Sequence, residues 1–119
     1  MFSDLIMKTV DGGYELVEPM TWTHDEHWVT VPAGFQTDLA SIPRIARFLF
    51  PGHGKTRKPA VLHDYLYANN FGTRKGADLL FRLAMEQEGM SLWRRQLAYR
   101  AVRIGGWVTW NRYAKEKQC

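Results

Sequence analysis

The feature that most constrains the fold is a single change of pattern near residue 40. Before it, short runs of β-forming residues are separated by Gly and Asp turns; after it, apolar residues recur at helical spacing. There is no repeat, low-complexity run or linker. Strands first and helices second predict an α+β fold: a small N-terminal antiparallel β-sheet followed by three to four α-helices. A length of 119 residues suits a single domain over 1–119, with a β-rich half at 1–34 and a helical, basic half at 35–119.

Segments 3–10 and 14–18, parted by Asp11-Gly12-Gly13, read as a hairpin, because Gly supplies the positive φ of a tight turn. Trp22 to Val31 continues as one or two strands and ends at Pro32-Ala33-Gly34. Asp38, Ser41 and Pro43 then sit where a helix entrance wants them, ahead of a one- to two-turn helix from Ile45 to Phe50. Pro51 to Gly54 reads as a loop. Pro59 is expected to start a helix to about Asn69, stopped by Asn70-Phe71-Gly72. Thr73 caps a further helix to about Gln87, and Ser91 caps the last. In that last helix Trp93, Leu97, Ala101, Ile104 and Val108 form a stripe expected to face the core. Gly105-Gly106 predicts either a break or a close helix crossing.

The lone cysteine, Cys119, excludes a zinc ribbon, a disulfide scaffold and a redox pair. No stretch approaches the roughly 20 apolar residues of a membrane span, and Met1-Phe2-Ser3-Asp4 lacks the basic start of a signal peptide. These features predict a soluble, unexported protein. The net charge of +4 conceals an asymmetry: residues 1–43 hold one base against seven acids, residues 44–119 fifteen bases against five acids. The basic part is expected to attract nucleic acid, a nucleotide, a phospholipid headgroup or an acidic protein surface, unless the chain's own acidic half is its partner.

The residues best suited to chemistry are His63-Asp64-Tyr65-Leu66-Tyr67 on one helix and Asp78 on the next. His63 and Tyr67 share a helical face, and an antiparallel partner helix brings Asp78 back towards the His63 ring. A carboxylate there fixes the imidazole tautomer and stabilises its protonated form, as a general base requires. Asp64, about 100° round the helix from His63, is placed to hold a cation or to orient backbone. The bland alternative is a buried histidine hydrogen-bonded to Asp78. Gly52-His53-Gly54-Lys55-Thr56-Arg57-Lys58 reads as an anion-binding loop before a helix N-terminus, with Lys55, Arg57 and Lys58 as substrate contacts alongside Tyr67. Its spacing is not that of a nucleotide-triphosphate loop. Arg94, Arg95, Arg100, Arg103 and Arg112, interleaved with aromatic residues, suit either stacked single-stranded nucleic acid or a solvated basic face. His24 and His27 have spacing for only a weak metal site.

The combination of Phe35, Thr37-Asp38, Ala40-Ser41-Ile42-Pro43-Arg44, His63-Asp64-x-x-Tyr67 and Asp78-x-x-Phe81 resembles a phage-encoded family known as domain of unknown function 1353, over about residues 30–90. The resemblance implies a viral origin, in host cytoplasm or virion, and adds Asp38 to the constellation. More locally, His63-Asp64-x-x-Tyr67 with Asp78-x-x-Phe81 is similar to the active-site helices of phospholipases A2. That similarity implies His63 as base, Asp78 as its orienting partner and Asp64 as a calcium ligand, although the disulfides of the secreted enzymes are absent. The expectation is a small hydrolase of an anionic ester, first of all a phosphodiester in a host nucleotide signal or nucleic acid. Its catalytic residues are His63 and Asp78, and Asp38 and Asp64 hold a divalent cation: calcium, magnesium, manganese or zinc. The competing expectations are a non-enzymatic virion or tail component with viral structural partners, a lipid esterase and a nucleic-acid-binding inhibitor.

Overall fold

The computed structural model describes residues 1–38 and 54–117, with backbone only at 54–56. Among these residues, five strands precede four helices: β1 (Met7–Val10), β2 (Gly13–Leu16), β3 (Met20–His24), β4 (His27–Val31), β5 (Gln36–Thr37), α1 (Gly54–Ala68), α2 (Arg74–Gln87), α3 (Leu92–Gly105) and α4 (Trp107–Lys117). The fold is α+β. The expected helix at Ile45 to Phe50 lies outside the described residues.

In place of one sheet there are two among the described residues, both antiparallel: β1-β2-β5 and β3-β4. Gly12, with φ of 83°, turns β1 into β2 and sets Val10 opposite Gly13. β5 extends the strands to Thr37, past the expected boundary at residue 34, pairing Tyr14 with Thr37 and Glu15 with Gln36. It lies so close to β2 that a Cβ on Gly13 would stand 2.2 Å from the Thr37 carbonyl oxygen. That close approach requires glycine and fixes Thr37 under the helices. The β3-β4 hairpin turns through Asp25, with φ of 53°, in the left-handed region that Asp tolerates better than most residues.

The sheets and helices share one core. Leu16, Met20, Trp22 and Val31 from the strands pack with Val61, Leu62, Leu66 and Tyr67 of α1 and Ala77 and Ala84 of α2. A second cluster joins Ala60, Phe81, Met85, Met90, Ala98 and Val102. The hydrophobic effect supplies most of the stability here, at roughly 25 cal/mol per Å² of apolar surface buried. Gln87 ties sheet to helix: its Oε1 accepts from the Trp22 indole at 2.7 Å.

α2 starts as the sequence predicts. The Thr73 side chain accepts from the Gly76 N–H, and the helix ends at Gln87. α1 starts earlier than expected, so Pro59 sits inside it, where it has no N–H to offer the Lys55 carbonyl. Ser91 stands at the N-cap of α3, with no hydrogen bond from its side chain.

Gly105-Gly106 yields both predicted outcomes. The helix breaks between α3 and α4, and a Cβ on Gly106 would lie 2.4 Å from the Tyr67 hydroxyl. Arg74 reaches the break and donates from Nη1 to the Val102 and Arg103 carbonyls at 3.1 and 3.2 Å, the Val102 carbonyl also accepting from the Gly106 N–H at 2.8 Å.

The expected core stripe of α3 is overturned. Trp93, Leu97, Ile104 and Val108 are exposed and Ala101 is half-buried. The buried side is Ala98, Val102, Gly106 and Thr109, all small, so the helix backbone approaches the core closely and its large residues face outward.

Candidate functional site

Asp78 is the hub of the site. Thr73 sets the start of α2, and Asp78, fully buried one turn further on, faces His63 and Tyr67 of the antiparallel α1. Its Oδ1 lies 2.7 Å from His63 Nε2 and accepts from the Tyr67 hydroxyl at 2.7 Å. Its Oδ2 accepts from Arg103 Nη1 of α3 at 2.8 Å, with Arg74 Nη1 at 3.6 Å. His63 is fully buried too, its ring 4.3 Å from Tyr67 and 4.6 Å from Phe81, centroid to centroid.

Burial by itself would push the Asp78 carboxyl up. The hydrogen bonds from His63 and Tyr67, the charge interaction with His63 and the Arg103 bond more than offset it, and the net shift is downward. The group is therefore a carboxylate near neutral pH, and a carboxylate only accepts. His63 Nε2 must carry its proton towards Asp78, which assigns Nδ1 the lone pair of the neutral ring. The Tyr67 phenol is pushed up, first by burial and then by its hydrogen bond to Asp78, and stays protonated as a donor.

Asp64 faces a second polar centre. It is fully buried, and its Oδ2 accepts from Thr37 Oγ1 at 2.5 Å, the contact that β5 makes available. The Tyr113 phenol of α4 is raised by burial, then by the charge of Asp64, with a smaller contribution from Asp38. Asp38 is exposed and lines a polar concavity of about 190 Å³ with Asp11, Tyr14, Gln36, Thr37 and Tyr113. Of the two carboxylates expected to hold a cation, one is thus buried and one open to solvent.

The expected substrate contacts fare differently. Lys55, Arg57 and Lys58 lie on the first turns of α1 and not in a loop. Arg57 is exposed and stands over the Tyr14 ring at 5.9 Å, and Lys58 is half-buried beside Leu5 and Met7; the Lys55 side chain and His53 lie outside the described residues. Tyr67 is fully buried, and its hydroxyl donates to Asp78.

Nothing in the sequence singles out Arg74, and Arg103, expected on a basic face with its neighbours, instead turns inward to Asp78. The Gly105-Gly106 pair beside Arg103 was the available signal, since it marks where α3 comes close to α1. Arg94 and Arg112 lie over Trp93 and Tyr113, and Arg95 pairs with Glu86 at 3.7 Å. His24 Nδ1 lies 3.0 Å from Gln87 Nε2, and its Nε2 lies 3.4 Å from Asp25.

Among the described residues no group of three or more His, Cys, Asp or Glu side chains comes together as a metal site, and no helix is long and apolar enough to cross a membrane. Comparison with curated proteins and with solved structures gives no match. Residues 14–102 match the family described as Protein of unknown function (DUF1353), a span that takes in β2, both site helices and α3 up to Val102. On that match, the chain belongs to the DUF1353 family.

Proposed function

We propose that the protein is a hydrolase of an anionic ester, a phosphodiester in the first instance, with His63 as general base. The observation that carries this reading is the 2.7 Å contact between His63 Nε2 and Asp78, a carboxylate braced by Tyr67 and Arg103. A carboxylate so held fixes one tautomer and stabilises the imidazolium formed when the ring takes a proton. In the reaction, His63 Nδ1 takes a proton from water as the water oxygen attacks the ester centre. The proton is then returned to the departing alkoxide. Arg57 and Lys58, on the same helix as His63, supply positive charge for the substrate.

The cation expected from the sequence enters this proposal only at Asp64 and Asp38, which would contribute two of its ligands. As no third candidate ligand joins them among the described residues, no step is routed through it.

Full burial of His63 sets a requirement: the Nδ1 edge must become accessible during turnover. The test pairs two measurements on wild type and His63→Asn. One is turnover of cyclic and linear nucleotides, short nucleic acids, activated carboxylic esters and phospholipid vesicles, with chelator or with each of calcium, magnesium, manganese and zinc. The other is the rate of ethoxycarbonylation of His63, followed by peptide mapping. Cleavage by wild type alone, with His63 modified on the assay timescale, supports the proposal. Silence across the panel with His63 protected refutes it and leaves the hub a purely structural device.

A second reading, a non-enzymatic assembly component in a viral particle, is favoured by the exposed apolar residues of α3 and α4. Phospholipid turnover in the same screen would move the reading to a lipid esterase.

A further inference from the structure

The outer surface of α3 and the start of α4 is built like a docking seam. Trp93, Leu97, Arg100, Ile104 and Trp107 follow one another at spacings of four, three, four and three residues, the repeat that keeps side chains on one helical seam. All five are exposed, Ile104 at 77 % and Trp93 at 57 %. Leu92 and Val108 are exposed as well, at 62 % and 56 %. Such large, half-exposed side chains offer on the order of 700 Å² of mostly apolar surface. That is more than a monomer ordinarily leaves in one patch and near the roughly 800 Å² per partner of a standard interface.

Charge selects the occupant. Arg100 lies in the middle of the seam and Arg94 beside it, so packing two seams face to face would set arginine against arginine without a counter-charge. The acidic half of the chain carries the complement. At the tip of the β3-β4 hairpin Asp25 and Glu26 are exposed, and Trp28, at 72 %, stands on the outward face opposite Thr23. An aromatic anchor with acids on one side matches an apolar stripe with arginines on the other.

We propose that the α3-α4 seam of one copy receives the Trp28 hairpin of a second copy, with Asp25 and Glu26 facing Arg100. The contact is head-to-tail, so a pair of copies keeps one free hairpin at one end and one free seam at the other, and the assembly grows into a ring or a filament. The inference is independent of the hydrolase reading, because its test reads association and not turnover.

Sedimentation equilibrium of the full chain over a concentration series, at low and at high salt, provides the test. Wild type is expected to gain mass with concentration, less so at high salt. Ile104→Asp alters the seam and Trp28→Asp the hairpin; both sites are exposed, and circular dichroism confirms folding of each variant. Each alone should remain monomeric. An equimolar mixture should give a discrete one-to-one dimer, because one intact seam meets one intact hairpin. Wild type that stays monomeric at every concentration overturns the proposal. So does wild type that associates while the mixed variants do not form the dimer, since that is the result of a symmetric or unrelated contact.

Discussion

The α1-α2 interface and the outer surface of α3-α4 invert the usual distribution of side chains in opposite directions. The first buries an ionised carboxylate with a histidine and a tyrosine, under a half-buried arginine of α3. The second exposes tryptophan, leucine and isoleucine at heptad-like spacing. A buried charge is tolerated only when it is paired and hydrogen-bonded; exposed apolar area is tolerated in a monomer only up to a limited patch. Both regions depart from what the fold alone requires, and each departs where function is proposed: chemistry inside, association outside.

The largest effect belongs to the hub. Asp78→Ala leaves His63, Tyr67 and Arg103 without their acceptor, and breaking a buried ion pair from one side typically costs about 3–5 kcal/mol. Urea unfolding of the variant should show a loss of that size, or no cooperative transition. The same group fixes an acid limb. Its carboxyl is held below the ordinary value of 3.8, so its stabilisation is fully present above that value and is lost as pH falls through it towards the folded-state value. Asp78→Asn should lack this part of the acid limb, visible as a flatter plot of stability against pH below about 4.

How far the hub was legible follows from its parts. His63, Tyr67 and Asp78 could be read because helical periodicity and a Thr73 cap place them on facing turns, and those are local rules. Arg103 and Arg74 were not, because whether an arginine snorkels to solvent or turns inward depends on which face of α3 meets α2. That same uncertainty caused the error over the stripe. Periodicity shows that Trp93, Leu97 and Ile104 share a face, but it cannot say that Ala98, Val102 and Gly106, a smaller and less hydrophobic row, is the one buried. β5 escaped notice because two residues carry no periodic signal, and Pro59 was read as a helix start although α1 tolerates it on its second turn.

Gly106→Ala tests the close crossing directly. The added Cβ would meet the Tyr67 hydroxyl at 2.4 Å and the Val102 carbonyl oxygen at 2.5 Å. Tyr67 cannot yield without weakening its bond to Asp78. A loss of about 1–3 kcal/mol is expected from overpacking, against a gain of at most about 1 kcal/mol from replacing glycine in a helix. Tyr67→Phe should be milder on stability, about 1–2 kcal/mol for one buried hydrogen bond, with a diagnostic alkaline signature. The folded-state phenol is raised above its ordinary value of 10.0, so wild type loses stability as pH rises beyond that value, and the variant should lose less.

Thr73→Ala removes the side-chain acceptor for the Gly76 N–H and should cost about 1 kcal/mol, the usual worth of an N-cap. It probes whether the turn that delivers Asp78 matters beyond its own hydrogen bond: a loss well above that figure would mean that the register of α2 couples to the hub.

The smallest effect on the folded monomer sharpens the comparison most. Ile104→Ser exchanges a large apolar side chain for a small polar one at a site already 77 % exposed, so there is little burial to lose. Substitutions at such positions usually change stability by less than about 0.5 kcal/mol. Thermal unfolding of dilute protein should therefore be nearly unchanged. A core residue of the same type would lose several times as much, and a variant that melts like wild type yet no longer gains mass with concentration would show that the isoleucine serves contact between copies and not the fold. A large drop in melting temperature at a concentration where wild type is monomeric would instead place Ile104 in the core and remove the contrast between the two regions.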